Sequence, residues 1–358
     1  MNQLIKNVRV FDGVKLTEST TVKIVGDKIA AIGKGIVALP NERVIEGNGK
    51  TLIPGLIDSH VHICSREDLD LLAKNGVTSA IDMASWPVKL TKRMKDEKNT
   101  TKIISAGIPF IGPAGPHSHF VTAEGAILKI IDEVDDAVTN RISDGSDFIK
   151  IVTEPKGHGG PSTAIVRAII EASHAAGKLV VTHAAAYKSF EISIGSGADI
   201  VTHVPRDRAV DLKLAARTKF AIPTLVCSEI QANVPANKAN GETLQASLDS
   251  VKNLKKAGTT IAAGSDSVAA QSHAPFVIQL GAALHRELEL EVEAGFTPVE
   301  ALQSATTVPG EIFHEFADRG QIKVGFKADL LLIDGNPTVD ISTTKNILDV
   351  WIDGVQVK

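Results

Sequence analysis

Residues 51–62 read TLIPGLIDSHVH, an aliphatic run that ends in two histidines. A run of this composition predicts a strand buried on both faces, because a half-buried strand would alternate apolar with polar residues. In a strand, His60 and His62 point to the same face, which places two imidazole nitrogens side by side. Such a pair is typical of a divalent-metal site. Two surface or hydrogen-bonded histidines are the alternative, and the rest of the chain decides between them.

Four more polar residues lie in or at the end of mostly apolar, strand-like runs. A single histidine in such a position would more often be a hydrogen-bonded core residue, but the repeated pattern favours one shared site. The residues are Lys150 in the run 147–153, His183 at the end of 179–183, His203 at the end of 199–203, and Asp266 at the end of 260–266.

Strand-like and helix-like segments alternate along the middle of the chain. This alternation predicts parallel βαβ units, and eight of them predict an α/β fold of the (β/α)8 TIM barrel type. The active site of such a barrel lies at the C-terminal ends of its strands, where the polar residues above are expected. The strand-like runs are residues 52–61, 77–83, 102–109, 147–153, 179–183, 199–204, 220–227 and 260–265. The helix-like stretches are residues 66–75, 87–98, 123–141, 162–177, 207–218, 241–257 and 276–294.

Several motifs resemble those of the metal-dependent amidohydrolase superfamily and occur in the same order. The resemblance covers nearly the whole chain. Within the superfamily the chain is most similar to the imidazolonepropionase-like and Xaa-Pro dipeptidase-like amidohydrolases, with a lysine in the fourth-strand position. The matching segments are residues 54–62, Lys150, His183, His203, and residues 264–266, 284–288, 295–302 and 325–335.

The two chain ends differ from the middle. Residues 1–50 contain short strand-like segments broken by Gly and Asp turns, and residues 325–358 resume that pattern. The resemblance implies that both ends join into one small β-sandwich beside the barrel. We therefore expect two domains, a β-sandwich of residues 1–50 and 325–358 and a catalytic barrel of residues 51–324.

The resemblance also implies two divalent metal ions, with zinc expected because imidazole and carboxylate ligands suit it. An ammonium group beside two cations would be repelled and costly to bury, whereas a desolvated lysine readily loses its proton. The neutral amine can then take up carbon dioxide and become an anionic ligand. The alternative is a lysine that extends to the barrel rim. The implied ligands are His60, His62 and Asp266 for one ion, His183 and His203 for the other, and a carboxylated Lys150 bridging both.

These features predict a metal-dependent hydrolase of amide-type bonds, such as those of peptides and N-acyl amino acids. The metal ions would convert water to hydroxide and polarise the scissile carbonyl. Asp266 would pass the proton of that water to the leaving amine. Hydrolysis of a lactone, carbamate or ester and deamination of a heterocycle are alternatives on this fold, although a bridging Lys150 favours hydrolysis. A non-catalytic protein of the same fold would be expected to have lost ligands.

Four residues are candidates for substrate binding. His117 and His119 lie in a loop rich in Gly and Pro after the third strand, where they would contact the substrate or stabilise an oxyanion. Tyr187 is the only tyrosine and would donate a hydrogen bond to the substrate carbonyl, while Arg206 would bind a substrate carboxylate. Each has an alternative as a packing or surface residue. The weaker candidates near the mouth are His158 and His273.

Composition limits the partners. The net charge of -4 gives no basic surface for nucleic acid or an anionic membrane, so a small-molecule substrate is expected. Two cysteines do not make a disulfide framework, and Cys64 is either a third ligand beside the histidine pair or a buried neutral thiol. The first residues lack the apolar segment of a signal peptide or membrane span, so a cytoplasmic protein is expected. Homo-oligomers are common in the resembled family.

Overall fold

The computed structural model describes residues 2–269 and 276–358, and none of its described helices is long and apolar enough to cross a membrane. The described strands are β1 (Gln3–Val10), β2 (Thr20–Val25), β3 (Lys28–Gly33), β4 (Arg43–Glu46), β5 (Thr51–Pro54), β6 (Leu56–His62), β7 (Val77–Asp82), β8 (Lys102–Ser105), β9 (Ile149–Val152), β10 (Val180–His183), β11 (Ile200–Thr202), β12 (Phe220–Ile222), β13 (Thr260–Ile261), β14 (Ser267–Val268), β15 (Leu330–Ile333), β16 (Ile347–Ile352) and β17 (Val355–Gln356). The described α-helices are α1 (Arg66–Lys74), α2 (Val88–Asp96), α3 (Val134–Ser143), α4 (Thr163–Ala175), α5 (Tyr187–Ser196), α6 (Leu212–Ala215), α7 (Leu225–Ala232), α8 (Pro235–Ala239), α9 (Leu244–Ala257), α10 (Ala282–Glu293), α11 (Pro298–Ser304) and α12 (Thr307–Ile312).

The two chain ends form one eight-stranded sheet with the order β17-β16-β15-β5-β1-β2-β3, in which β4 pairs with β1. β15 runs antiparallel to β5, with Leu330 opposite Pro54, while β5 runs parallel to β1. The side chains of Val22, Leu52 and Trp351 are fully buried in the core of this sheet. Backbone pairing therefore holds the first and last parts of the chain together.

The run at residues 51–62 forms two strands rather than one. β5 ends at Pro54 in the chain-end sheet, whereas β6 begins at Leu56 in a parallel sheet. Gly55 lies between them, and a Cβ atom there would be only 2.1 Å from Oγ1 of Thr78. The chain therefore changes sheets at a residue whose missing side chain permits a close approach to β7.

The strands in the middle of the chain form two parallel sheets. One has the order β14-β6-β7-β8 and the other the order β13-β12-β11-β10-β9. Backbone hydrogen bonds connect the two sheets on both sides, from Asp147 N to Ser105 O at 2.9 Å and from Ser59 N to Ala263 O at 2.9 Å. The C-terminal ends of β6 and of β9 to β13 therefore face the same region.

The seventh strand-like run of the sequence forms a shorter strand, β12, than predicted. The run 220–227 was expected to be one strand, but β12 ends at Ile222 and α7 begins at Leu225. The backbone of Thr224 is left-handed, with φ of 50°, which turns the chain out of the sheet. A carboxylate from a distant helix then accepts hydrogen bonds from the first N–H groups of α7. A tertiary contact thus overrides the strand preference of the aliphatic residues.

An apolar layer lies under the C-terminal ends of the parallel strands. Because strand side chains alternate, residues two positions further along a strand point to the same face. Val181 and Phe148 lie in this layer, so His183 and Lys150 point the same way one level closer to the strand ends. The other strand residues of the layer are Ile57, Ile81, Ile104, Ile200 and Ile222.

Replacement of Gly55 by alanine should destabilise the fold. The added Cβ would overlap Thr78, and overpacking of this kind costs about 1–3 kcal/mol. Gly195→Ala is the matched control, since no atom lies within 4 Å of a Cβ at that position in α5 and alanine favours helix. Urea unfolding should give a lower midpoint for Gly55→Ala and an equal or higher one for Gly195→Ala. Equal midpoints for Gly55→Ala and the unaltered protein would contradict this reading of the sheet junction.

Candidate active site

A cavity of about 1070 Å³ opens at the C-terminal ends of the parallel strands. It contains every residue that the sequence predicted as a metal ligand. Parallel strands end at one edge of a sheet, which is why residues far apart in the chain meet here. These six predicted ligands are His60, His62, Lys150, His183, His203 and Asp266.

Asp266 contacts both histidines of the His-x-His pair. Its Oδ1 lies 3.1 Å from Nε2 of His60 and 3.2 Å from Nε2 of His62. Burial opposes ionisation of the carboxyl, but the neighbouring histidines outweigh it and hold the pKa of Asp266 well below its usual range. Burial lowers the pKa of His60 to about 3, so its ring is neutral at pH 7. A carboxylate beside two imidazole rings is a suitable donor set for a divalent metal ion.

Hydrogen bonds from behind the site fix the orientation of three imidazole rings. Nδ1 of His60 lies 2.6 Å from the hydroxyl of Thr202, and Nδ1 of His203 lies 2.6 Å from the hydroxyl of Thr224. Nδ1 of His62 lies 3.3 Å from the carbonyl oxygen of Ala84. The Nε2 atom of each ring remains available to a ligand, as in metal sites where a second hydrogen bond fixes the tautomer.

Three non-glycine residues at the site have a left-handed backbone. The φ angles are 68° for His203, 50° for Thr224 and 55° for Asp266. Such conformations cost about 1–3 kcal/mol each and persist only where the surrounding structure imposes them. Thr224 is β-branched, for which this conformation is least favourable. The fold therefore imposes the placement of these side chains at a cost in stability.

Lys150 has no hydrogen-bond partner for its buried Nζ among the described residues. Burial lowers the pKa of the amine to about 7, because the charged form is desolvated. Hydrogen-bond donors are rarely buried without a partner, so this atom indicates a missing ligand or modification. The site thus fits both the metal ions and the lysine carboxylation that the resemblance implies.

A second group of donors lies on the same wall. His117, Glu154 and His183 each offer an atom within 4.8 Å of the other two, as do His60, His203 and Asp266. Nδ1 of His117 is 3.4 Å from Oε1 of Glu154, and the rings of His117 and His183 are 4.6 Å apart. The predicted loop residue His117 therefore lies directly beside a predicted metal ligand.

The structure brings two of the four predicted substrate residues to the cavity. His117 and Arg206 line it, and Nε of Arg206 donates to Glu242 at 2.6 Å. His119 is exposed and Tyr187 donates its hydroxyl to Asp211 at 2.5 Å, and neither belongs to the cavity wall. Of the two weaker candidates, His158 lines the cavity, and His273 lies outside the described residues.

Cys64, considered either as a third ligand or as a neutral thiol, also lines the cavity. Burial raises the pKa of its thiol to about 11, so the sulfur is protonated at neutral pH. Metal coordination requires the thiolate. Among the described residues Cys64 belongs to neither group of close metal donors, which favours the neutral-thiol interpretation.

Some supporting residues were not identified from the sequence. Asp58 is fully buried and accepts hydrogen bonds from the backbone N–H groups of His60 and Ser265, which connects β6 to the segment that carries Asp266. The sequence signal for Asp58 was an acidic residue inside an apolar strand. Thr202 precedes His203 just as Thr182 precedes His183, and this repeat was the only signal for it. Thr224 and Glu154 have no local signal, and Glu287 lay in a matching segment, 284–288, without an assigned role.

Residues 51–357 match the sequence pattern of the amidohydrolase family. The chain belongs to this family. It is 23% identical over 370 residues to 5-methylthioadenosine/S-adenosylhomocysteine deaminase of Thermoanaerobacter pseudethanolicus, with 93% of this chain and 85% of that protein covered. It is 24% identical over 420 residues to ochratoxinase of Aspergillus niger, with 96% and 83% covered. The crystal structure of a Xaa-Pro dipeptidase with bound methionine in the active site has a TM-score of 0.84 at 23% identity, with 99% of each chain covered.

The comparisons confirm the family predicted from the sequence and show that the chain is an enzyme with an α/β fold. Glu287 lies in segment 284–288, one of the segments that carry the resemblance described above. Glu287 is fully buried, and its two oxygens accept hydrogen bonds from Leu225 N at 2.8 Å and Val226 N at 2.7 Å. This carboxylate fixes the start of α7 directly after Thr224, whose hydroxyl contacts His203. Glu287 therefore supports the ring of His203 through the start of α7 and the hydroxyl of Thr224.

Glu287→Gln should weaken metal binding. The amide can accept only one of the two N–H bonds, which loosens Thr224 and His203, and loss of outer support of this kind lowers metal affinity roughly 10- to 100-fold. Glu291→Gln is the control, because Glu291 is one turn further along α10, equally buried, and bonded to Ser304 instead. Zinc affinity measured by chelator competition should fall for Glu287→Gln alone. Parallel losses in both variants would indicate a general effect of altering α10.

Proposed function

We propose that this amidohydrolase is a metal-dependent hydrolase that cleaves the amide-type bond of a small peptide or N-acyl amino acid. The observation that carries the proposal is the buried amine of Lys150, which has no hydrogen-bond partner among the described residues and shares a cavity with His60, His62, His183, His203 and Asp266. The parallel strands β6 to β13 would form a (β/α)8 barrel within residues 51–324. The chain ends, residues 1–50 and 325–358, would form a β-sandwich domain beside it.

The donor set suits two divalent ions, and zinc is the metal we propose. His60, His62 and Asp266 would hold one ion, and His183 and His203 the other. Carboxylation of Lys150 would supply an anionic oxygen to each. Ions bound there would activate a water molecule and polarise the scissile carbonyl. The neutral state of the buried His60, His183 and His203 leaves their ring nitrogens free to bind.

Asp266 is the proposed proton carrier. Its depressed pKa keeps the carboxyl ionised at neutral pH, so it can accept the proton of the attacking water. Delivery of that proton to the leaving nitrogen converts a poor leaving group into a neutral amine. The left-handed backbone at Asp266 holds the carboxylate close to His60 and His62.

His117 and Arg206 are the proposed substrate contacts. The His117 ring lies beside His183, where it can donate a hydrogen bond to the oxygen of the scissile carbonyl. Arg206 uses Nε to contact Glu242, and its two terminal nitrogens have no hydrogen-bond partner among the described residues. Those nitrogens are arranged to bind a carboxylate with two parallel bonds. An amino acid product with a free carboxylate would satisfy them.

Deamination of a heterocycle is the second candidate, because one relative is named a deaminase. The buried Lys150 favours hydrolysis, since a bridging anion has a clear use only where two cations are bound. Lactone, carbamate and ester hydrolysis are close variants of the same chemistry. The release of ammonia, as opposed to an amino acid or alcohol, separates deamination from all of them.

Turnover of amide substrates should depend on Asp266. We expect a zinc-loaded enzyme to hydrolyse members of a panel of dipeptides, N-acyl amino acids, lactones and carbamates, with amides preferred. Asp266→Asn keeps the shape and one oxygen donor but cannot carry a proton, so kcat on the best amide should fall roughly 10²–10⁴-fold. Substrates with good leaving groups should lose less. Near-full turnover by Asp266→Asn would rule out this residue as the proton carrier.

Loss of Lys150 should remove the proposed bridge between the two metal ions and most of the activity. Metal analysis should give two equivalents per chain in the unaltered enzyme and less in Lys150→Ala, with partial rescue by short carboxylic acids. Because carbon dioxide reacts only with the neutral amine and the pKa of Lys150 is about 7, reactivation of the metal-free enzyme by zinc together with bicarbonate should increase as the pH rises through 7. A single equivalent of metal at full activity would refute the two-metal proposal.

A further inference from the structure

Within the described part of the chain, four carboxylates line the cavity: Glu154, Asp207, Glu242 and Asp266. Three of these carboxylates already have protein partners. Asp266 contacts the His-x-His pair, Glu242 accepts from Arg206, and Asp207 accepts from the backbone N–H of Tyr187 at 2.8 Å.

Glu154 is the exception. The structure gives it no hydrogen bond and no lysine or arginine partner among the described residues. Its neighbour His117 is 3.4 Å away, and the buried Nδ1 of that ring also has no hydrogen-bond partner. Among the described residues, Glu154 thus presents a carboxylate on the cavity wall without a lysine or arginine partner, where a ligand can supply an N–H donor.

Two glycine-containing loops hold this pair in place. The backbone N–H of Ala114 donates to Gly159 O at 3.2 Å, and a Cβ at Gly159 would lie 2.2 Å from the carbonyl carbon of Ala114. A Cβ at Gly112 would lie 2.1 Å from Gly159 O. The loop after β8 and the loop after β9 therefore pack backbone against backbone. This contact places His117 beside Glu154 and fixes both.

The position of the pair relative to the proposed metal centre restricts what it can bind. The ring of His117 is 4.6 Å from that of His183. In a peptide with a free N-terminus, the amino nitrogen is separated from the first carbonyl carbon by one Cα, a distance of about 2.5 Å. A carbonyl bound at the metal centre would therefore bring such an amino group next to this wall.

We propose that Glu154 binds the protonated α-amino group of a peptide substrate; this inference rests on the proposed hydrolase function. An ammonium group has three N–H donors, and a carboxylate accepts charge-assisted hydrogen bonds from such a group. A metal ion is less suitable than an ammonium group here. His183 would already bind an ion of the proposed metal centre, and the remaining donors, His117 and Glu154, are fewer than a protein zinc site uses. Glu154 thereby selects free peptides over N-acyl amino acids.

A matched pair of substrates tests this directly. L-alanyl and propionyl derivatives of the same amino acid differ only in the amino group. The unaltered, zinc-loaded enzyme should prefer the alanyl compound, and Glu154→Gln should lower the alanyl-to-propionyl ratio of kcat/KM roughly 10- to 100-fold, the cost of one charge-assisted hydrogen bond. Asp207→Asn neutralises another acid of the same cavity and should leave the ratio unchanged.

Three results would overturn the inference: an unchanged ratio in Glu154→Gln, an equal change in Asp207→Asn, or the loss of one equivalent of metal from Glu154→Gln, which would make Glu154 a metal ligand. If the enzyme hydrolyses neither compound, the proposed function fails separately. Calorimetric binding of L-alaninamide and propionamide then decides the question. A preference for L-alaninamide that Glu154→Gln abolishes supports the inference, and equal binding of the two amides to the unaltered enzyme overturns it.

Discussion

Burial of the Lys150 amine is the constraint on which the rest of the active site depends. The pKa falls from 10.5 to about 7, which corresponds to about 5 kcal/mol of differential interaction. The folded pKa is lower than the unfolded one, so this penalty on the free energy of unfolding is fully present below pH 7. It disappears as the pH rises towards 10.5, where the unfolded chain also loses its proton. The proposed conversion of the amine to an anionic metal ligand would remove the desolvated ammonium altogether.

Strand geometry explains why most of the site could be predicted from the sequence. His183 and Lys150 follow buried apolar residues by two positions, so the same alternation that places Val181 and Phe148 in the core directs the polar residues to the cavity. The shared direction of parallel strands then brings their ends together. Neither argument needs a tertiary contact, and both apply to any chain with this pattern. The family motifs supplied the assignment of ligands to two ions, which the alternation alone does not give.

The residues that could not be predicted act through contacts between distant segments. Glu287 accepts from Leu225 and Val226, 62 and 61 residues away, and those aliphatic residues read as a strand until the carboxylate is placed. Thr224 has a backbone conformation that a β-branched residue rarely adopts, so sequence preference argued against it. The loop histidines show the same limit. His117 and His119 are equivalent in the sequence, and only the packing of two loops places one on the cavity wall and leaves the other exposed.

Two buried acids behind the site, Asp58 and Glu287, position other site residues through hydrogen bonds whose strength depends on whether the acids are ionised. Burial raises the pKa of Asp58 to about 7 and that of Glu287 to about 8, and the charge of Asp266 contributes to both. Both carboxyls use their oxygens as acceptors, from Ser265 and His60 in one case and from the start of α7 in the other. A protonated carboxyl accepts less well than a carboxylate. Cations at the metal centre would favour the ionised form of each acid. Ionisation would in turn strengthen the hydrogen bonds that position Asp266 and His203, so metal binding and the order of its own ligands reinforce each other.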